Sequence, residues 1–257
     1  MSATAEVRPA LAGQLTELRL PTVRKCYEET ARLAERETLS YEQYLLEVIT
    51  RECEQRRKTR VQRLLKDSAL PLEKSLASFN LKRLPTKAQR QVRMLLDGGF
   101  LDRKENVLVF GNPGTGKSHL LAALAQELVV VGERKMHSTR CSLLMQDLLA
   151  AKRDLRLSKE IKRLGRYEGL LIDDLGYLQQ SRDEMDVVFT LLAERYERGS
   201  VLMTSNLQFS KWESIFKDAM MTAAAIDRLV HHCVIIELNI PSYRAEEAQQ
   251  KLKSESE

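Results

Sequence analysis

The spacing of apolar residues changes once along this chain. From Leu11 to Leu70 it is helical. Leu11, Leu15 and Leu18 share one helix face. Ser40 and Gln43 fit a capping box, and Tyr44, Leu45, Val48 and Ile49 follow as an apolar stripe that Val61, Leu64 and Leu65 resume. β-Branched and aromatic clusters are absent, so this part predicts a small all-α domain over residues 1–70. Pro71 and Pro85 bracket a connecting segment anchored by Leu76, Phe79 and Leu81. A further helix from Thr86 to Leu96 ends at Gly98-Gly99, so 71–100 reads as linker and helix.

From Asn106 the pattern alternates between continuous apolar strands and amphipathic helices. The strands are Val107–Phe110, Lys135–Thr139, Gly169–Asp173, Val201–Ser205 and Cys233–Leu238. The clearest helix carries Met185, Val188, Phe189 and Leu192. This predicts an α/β domain over 101–245, a five-stranded parallel sheet with helices on both faces. Residues 246–257 form a charged tail, expected as a fraying helix.

The turn after the first strand is Gly111-Asn112-Pro113-Gly114-Thr115-Gly116-Lys117-Ser118, a match to G-x-x-x-x-G-K-[ST] at every fixed position. Leu120, Leu121, Leu124 and Leu128 follow at helical spacing. Such a loop aims backbone N–H groups at one point, at the positive end of a helix dipole, and phosphate is the natural guest. Lys117 should reach the β- and γ-phosphates, and Ser118 should place its hydroxyl on Mg²⁺. Pro113 stiffens the loop. His119 lies in the first helical turn beside the site.

The other end of the nucleotide site should come from Leu170-Leu171-Ile172-Asp173-Asp174. An apolar parallel strand ending in acid places carboxylates where open α/β sheets bind ligands. Asp173 is the candidate for the Mg²⁺ shell, and Asp174 for orienting or deprotonating the attacking water. Val201 to Asn206 is a third apolar strand with a polar end. Asn206 would face the γ-phosphate or the water if that strand lies beside the phosphate loop, and is otherwise an ordinary loop start. Arg228, in a short helix spanning Ala223–Val230, reads either as an ion pair with Asp227, which the sequence alone favours, or as a finger reaching a neighbour's γ-phosphate.

The chain has 257 residues and a formal charge of +5, which suits a nucleic-acid partner without requiring one. Cys26, Cys53, Cys141 and Cys233 lie far apart without zinc spacing and read as reduced thiols. The first twenty residues are charged throughout, unlike a signal peptide, and no apolar run approaches a membrane span. The expectation is a cytoplasmic protein. Lys152, Arg153, Arg156, Lys159, Lys162 and Arg163 read as one helical stretch, with Leu148, Leu149, Leu155 and Ile161 as its apolar contacts. That basic face suits phosphate contacts with duplex DNA, or simple solvation. The run from Arg51 to Arg63 has Glu52 and Glu54 mixed in, and both readings stay open there.

Taken in order, these blocks resemble AAA+ ATPases of the DnaC/IstB branch, and most closely the IstB-type helper ATPases of bacterial insertion sequences. The resemblance runs from Leu11 to about Arg244. Leu39 to Leu45 is similar to the family's small helical domain. Gly111–Ser118 is similar to Walker A, Leu171–Asp174 with Leu175-Gly176-Tyr177 to Walker B, Thr204-Ser205-Asn206 to sensor 1, and Asp227-Arg228-Leu229 with His231-His232 to the arginine-finger segment. Ser242-Tyr243-Arg244 is similar to the shared ending. It implies a Mg²⁺-dependent ATPase that binds ATP through residues 111–119, with Lys117, Asp174, Asn206 and Arg228 catalytic. It also implies ATP-dependent homo-oligomers with Arg228 acting in trans, duplex DNA and a transposase as partners, and a nucleoid-associated location. Two departures stand out. Asp174 replaces the Glu of most AAA+ proteins, one methylene shorter. Too few residues follow the last strand for a C-terminal lid, leaving Arg244 to take over a second sensor's role. A DnaC-like helicase loader is the alternative within the branch, and a small-molecule P-loop kinase the alternative outside it.

Overall fold

Alternate residues of each central strand serve opposite faces of one sheet. In the computed structural model, which describes residues 3–175, 181–208, 211–212, 219–243 and 245–246, the strands are β1 (Asn106–Gly111), β2 (Met136–Arg140), β3 (Gly169–Leu175), β4 (Ser200–Ser205) and β5 (Cys233–Leu238). They form a parallel sheet in the order β2-β3-β4-β1-β5. One face holds Leu108, Phe110, Leu170, Ile172, Val201 and Met203, packed against α7 (Cys141–Arg153), α8 (Leu157–Leu164), α9 (Arg182–Arg195) and α10 (Ala219–Val230). The other holds Val107, Val109, Leu171, Leu202, Ile236 and Leu238. It packs against α4 (Thr86–Leu95), α5 (Gly99–Asp102) and α6 (Lys117–Val130). Burial on both faces is why the central strands β1, β3 and β4 read as continuous apolar runs. Among the described residues, no helix is long and apolar enough to cross a membrane.

The chain divides into two units, Met1–Arg63 and Leu64–Glu257, and the division falls inside α3 (Tyr41–Ser68). Residues 71–100, expected as linker and helix, supply Phe79, Leu84, Val92, Leu95 and Phe100 to the core of the second unit. Gly98 takes the left-handed conformation after α4, with φ 77°.

The first unit contains α1 (Ala3–Glu17), α2 (Pro21–Glu37) and the start of α3. Its core is Leu15, Val23 and Val48, flanked by Leu11, Leu20, Tyr27 and Tyr44. The Ser40–Gln43 capping box forms, with bonds of 2.8 and 3.2 Å. The apolar stripe is narrower than expected. Leu45 and Ile49 are 58% and 40% exposed, because each sits one residue beyond Tyr44 and Val48, about 100° around the helix from the buried seam. Leu18 falls after the end of α1 and is exposed.

Glu52, expected within a solvated or DNA-facing run, is buried and caps α2. Its Oε2 accepts from the Thr22 and Val23 amides at 2.8 and 3.1 Å, and its Oε1 from Arg56 Nε at 2.8 Å. Burial pushes its carboxyl up, but the hydrogen bonds from Arg56 and the two amides outweigh it and hold the pKa below the ordinary value. Glu52→Ala should cost about 1–3 kcal/mol of stability, read by urea unfolding at neutral pH, because two helix-start donors lose their acceptor. The folded pKa being the lower one, this contribution is full above the unfolded value of about 4.3 and fades as pH falls through the folded value.

The basic stretch after β2 is two helices, not one. α7 stops at Arg153 and α8 starts at Leu157. Arg156 N–H donates to the Ala151 carbonyl at 2.7 Å and Leu155 N–H to that of Lys152 at 3.1 Å, with Leu155 at φ 56°. This pair of bonds is the Schellman ending of a helix. Leu148 and Ile161 are buried as expected, but Leu155 is 94% exposed, because the turn swings its side chain away from the sheet. Below α8, the buried Arg195 guanidinium donates to the carbonyls of Leu164, Tyr167, Glu168 and Ser200 at 2.9–3.2 Å, and burial lowers its pKa to about 10. It ties the end of α8 to the starts of β3 and β4.

Candidate nucleotide site

β1 lies between β4 and β5, and its carboxyl end opens into the Gly111–Ser118 loop and the start of α6. Two glycines are required there. Gly116 has φ 86°, and a Cβ on it would lie 3.1 Å from Phe79 Cε2. A Cβ on Gly111 would lie 2.8 Å from the Leu238 carbonyl oxygen at the end of β5. Thr115 Oγ1 donates to the Asn112 carbonyl at 2.9 Å, and Lys117 Nζ donates to the same oxygen at 3.0 Å. The lysine is thereby folded back over the loop that it follows.

Asp173 and Asp174 sit at an irregularity in β3, where the register with β4 shifts between Ile172 and Leu175. Asp174 takes φ 63°. Such a break re-aims side chains at the end of a strand. Thr204 of β4 holds the pair in place. Its hydroxyl donates to Asp173 Oδ1 at 2.5 Å and accepts from the Asp174 amide at 2.9 Å. Burial raises the Asp174 pKa, and the Asp173 charge raises it further, against the pull of Lys117, Arg140 and Lys74. A carboxylate raised in this way is a better proton acceptor near neutral pH.

A cleft of about 370 Å³ gathers Pro113, Gly114, Gly116, Lys117, Ser118, His119, Asp174 and Asn206. That volume suits a small-molecule ligand. Asn206 lines the cleft too, and its buried Oδ1 has no hydrogen-bond partner among the described residues, an acceptor left open. Asp173 does not line the cleft; it stands next to Asp174, with its Oδ1 held by the Thr204 hydroxyl. The loop curvature, the ammonium, the acid pair and the open acceptor all fit a nucleoside triphosphate with a divalent cation.

The cleft also has a wall that the sequence did not disclose. Phe79 and His119 meet edge to face at 5.2 Å, and Tyr243 stands 6.2 Å from Phe79. His119 Nε2 lies 3.1 Å from the Ser75 carbonyl oxygen and 3.2 Å from Ser78 Oγ. Tyr243 N–H donates to the Gly114 carbonyl at 2.9 Å. Arg83 lies over the Tyr243 ring at 3.8 Å and pairs with Glu246 at 2.8 Å. Phe79 is the one aromatic between Pro71 and Pro85, a signal of some special use but not of place.

Arg228 is not in this cleft. Its Nη1 donates to the Ala224 carbonyl at 2.9 Å, and its guanidinium lies 4.9 Å from the Phe189 ring centre. No ion pair with Asp227 occurs among the described residues. The Arg228 and Leu229 carbonyls accept from Asn106 Nδ2, at the opening of β1, whereas the phosphate loop closes β1. At about 3.3 Å per residue, the strand alone separates the two by about 17 Å. The basic residues 152–163 lie on α7, α8 and their turn, outside the cleft. Arg244 and the Gly176-Tyr177 pair lie outside the described residues.

A family model described as IstB-like ATP binding protein matches residues 13–253. An insertion-sequence ATP-binding protein of Sinorhizobium fredii is 38% identical over 241 residues, covering 93% of this chain and 80% of its own. The IS21 insertion-sequence ATP-binding protein of Pseudomonas aeruginosa is 32% identical over 233 residues, covering 91% and 88%. Among solved structures, the DnaC helicase loader aligns with a TM-score of 0.55 at 15% identity, over 65% of this chain and 97% of its own. AMPPCP-bound DnaA from Aquifex aeolicus aligns at 0.56 and 19%, over 73% and 57%. At such identities the likeness is one of fold, a parallel α/β core. The family match and the insertion-sequence relatives go further: this chain belongs to the IstB-like ATP-binding protein family.

Proposed function

We propose that this protein is an ATPase that assembles on duplex DNA and serves a transposase. The observation that carries this reading is the separation of Arg228 from the cleft. The phosphate loop, the acid pair and Asn206 gather at one end of β1, and the arginine stands at the other. Such a site is half built in one chain and is completed by a neighbour, so nucleotide and assembly are coupled. The insertion-sequence names of the relatives favour transposition over helicase loading, and the likeness to the helicase loader is one of fold.

In this reading the loop amides of 111–118 and Lys117 cradle the phosphates, and the Phe79, His119 and Tyr243 wall receives the base. Ser118 and Asp173 would hold magnesium, which when bound neutralises phosphate charge. Asp174 accepts the proton of the attacking water, and Asn206 Oδ1 accepts a hydrogen bond from the same water. Arg228 of the next subunit stabilises the charge on the phosphate being transferred. The exposed cations of α7, α8 and the turn between them, namely Lys152, Arg153, Arg156, Lys159, Lys162 and Arg163, contact DNA phosphates, and the helical domain of residues 1–70 receives DNA or partner.

Gel filtration with light scattering tests this. Duplex DNA, magnesium and ATP together should shift the protein into large assemblies that neither DNA nor ATP alone supports. A protein that stays monomeric with all three present contradicts the proposal.

A further inference from the structure

The α7–α8 turn breaks two local rules at one residue. Leu155 occupies the left-handed position of a Schellman ending, where glycine is the usual choice. It also holds a large apolar side chain 94% exposed. The other non-glycine residues with positive φ among those described are Arg19, Thr38, Ala69, Lys104, Glu133, Asp174 and Glu197, each polar or small. A lone surface leucine is unremarkable in itself. A leucine in a strained conformation that also keeps it out of the core is harder to explain by packing.

The surroundings supply the charge. Arg153, Arg156, Lys159 and Lys162 are exposed around the turn. A groove beside it is lined by Arg156, Lys159, Arg163 and Arg166, against the acids Asp147 and Glu160. Glu160 is occupied by Arg163 at 3.0 Å, Arg156 pairs with Asp154, and Lys152 pairs with Asp186 at 3.3 Å. The balance remains cationic and suits a phosphate backbone. An apolar tip on a cationic mount is the arrangement by which proteins open a base step and kink a duplex.

We propose that Leu155 is an apolar wedge, pressed by the basic α7–α8 turn into one base step of bound duplex DNA, unstacking it and kinking the helix. The proposal rests on the duplex-binding reading above. On this account the cations hold the DNA and Leu155 deforms it, so the two effects separate by mutation.

The full chain, loaded with a non-hydrolysable ATP analogue, is mixed with duplexes carrying 2-aminopurine at successive positions and a donor–acceptor dye pair at the ends. The unaltered protein should raise 2-aminopurine fluorescence at one or a few steps and bring the ends closer. Leu155→Gly relieves the left-handed strain and Leu155→Gln keeps the length. Both should bind DNA within about threefold of the unaltered affinity, since phosphate contacts carry it, yet lose the fluorescence rise and the end approach. Leu155→Met should keep them. Variants that bind and still give the full signals overturn the wedge, as does an unaltered protein that binds without unstacking. Absence of any duplex binding by the unaltered protein fails the reading beneath, and the wedge with it.

Discussion

Asp174→Asn is expected to slow ATP hydrolysis by about 10²–10⁴-fold, the range for loss of a general base. ATP binding, measured with a fluorescent analogue, should persist, because the phosphate loop and Lys117 are untouched. Asp174 owes its place to the bulge in β3. The register slip between Ile172 and Leu175 and the φ of 63° at Asp174 turn its carboxylate toward the cleft, while Thr204 fixes both members of the acid pair. Burial and the neighbouring Asp173 raise its pKa. The acid limb of the rate profile should therefore lie above the ordinary aspartate value of about 3.9. That limb should vanish in the Asn variant. An Asn variant with unaltered rate and limb would remove Asp174 from the chemistry.

Arg228→Ala is expected to lower hydrolysis by about 10³-fold or more, the range for loss of an arginine finger. The reason is geometric. Arg228 sits with its backbone against Asn106, at the end of β1 remote from the phosphate loop, and no acid among the described residues pairs with its side chain. A residue so placed cannot serve its own cleft. Its removal should leave the thermal stability within about 1 kcal/mol, since the lost contacts are one helix carbonyl and a half-exposed ring. A fully active Arg228→Ala protein would end the shared-site account.

What could be read from the sequence was local. The central strands β1, β3 and β4 announced themselves because they are buried on both faces, and the Gly111–Ser118 loop because its chemistry lies in consecutive residues. The parts that stayed hidden depend on distant partners. Thr204 grips Asp173 from another strand. Phe79 meets His119 and Tyr243 from three separate segments. Glu52 looked like one charge in a basic run, although it caps a helix begun thirty residues earlier. Leu155 reads as one of the apolar contacts of a single helical stretch, because without glycine nothing in the sequence marks the helix ending there.

The most direct test mixes the two inactive proteins. Asp174→Asn retains its finger, and Arg228→Ala retains its acid pair. If subunits join head to tail and each site takes its arginine from a neighbour, random equimolar mixing makes one interface in about four complete. With duplex DNA present, the mixture should then recover about a quarter of the unaltered ATPase rate, from two components that are each nearly inert. A mixture as inactive as its parts, under conditions where the unaltered protein hydrolyses ATP and the variants co-assemble, would contradict a site shared between subunits.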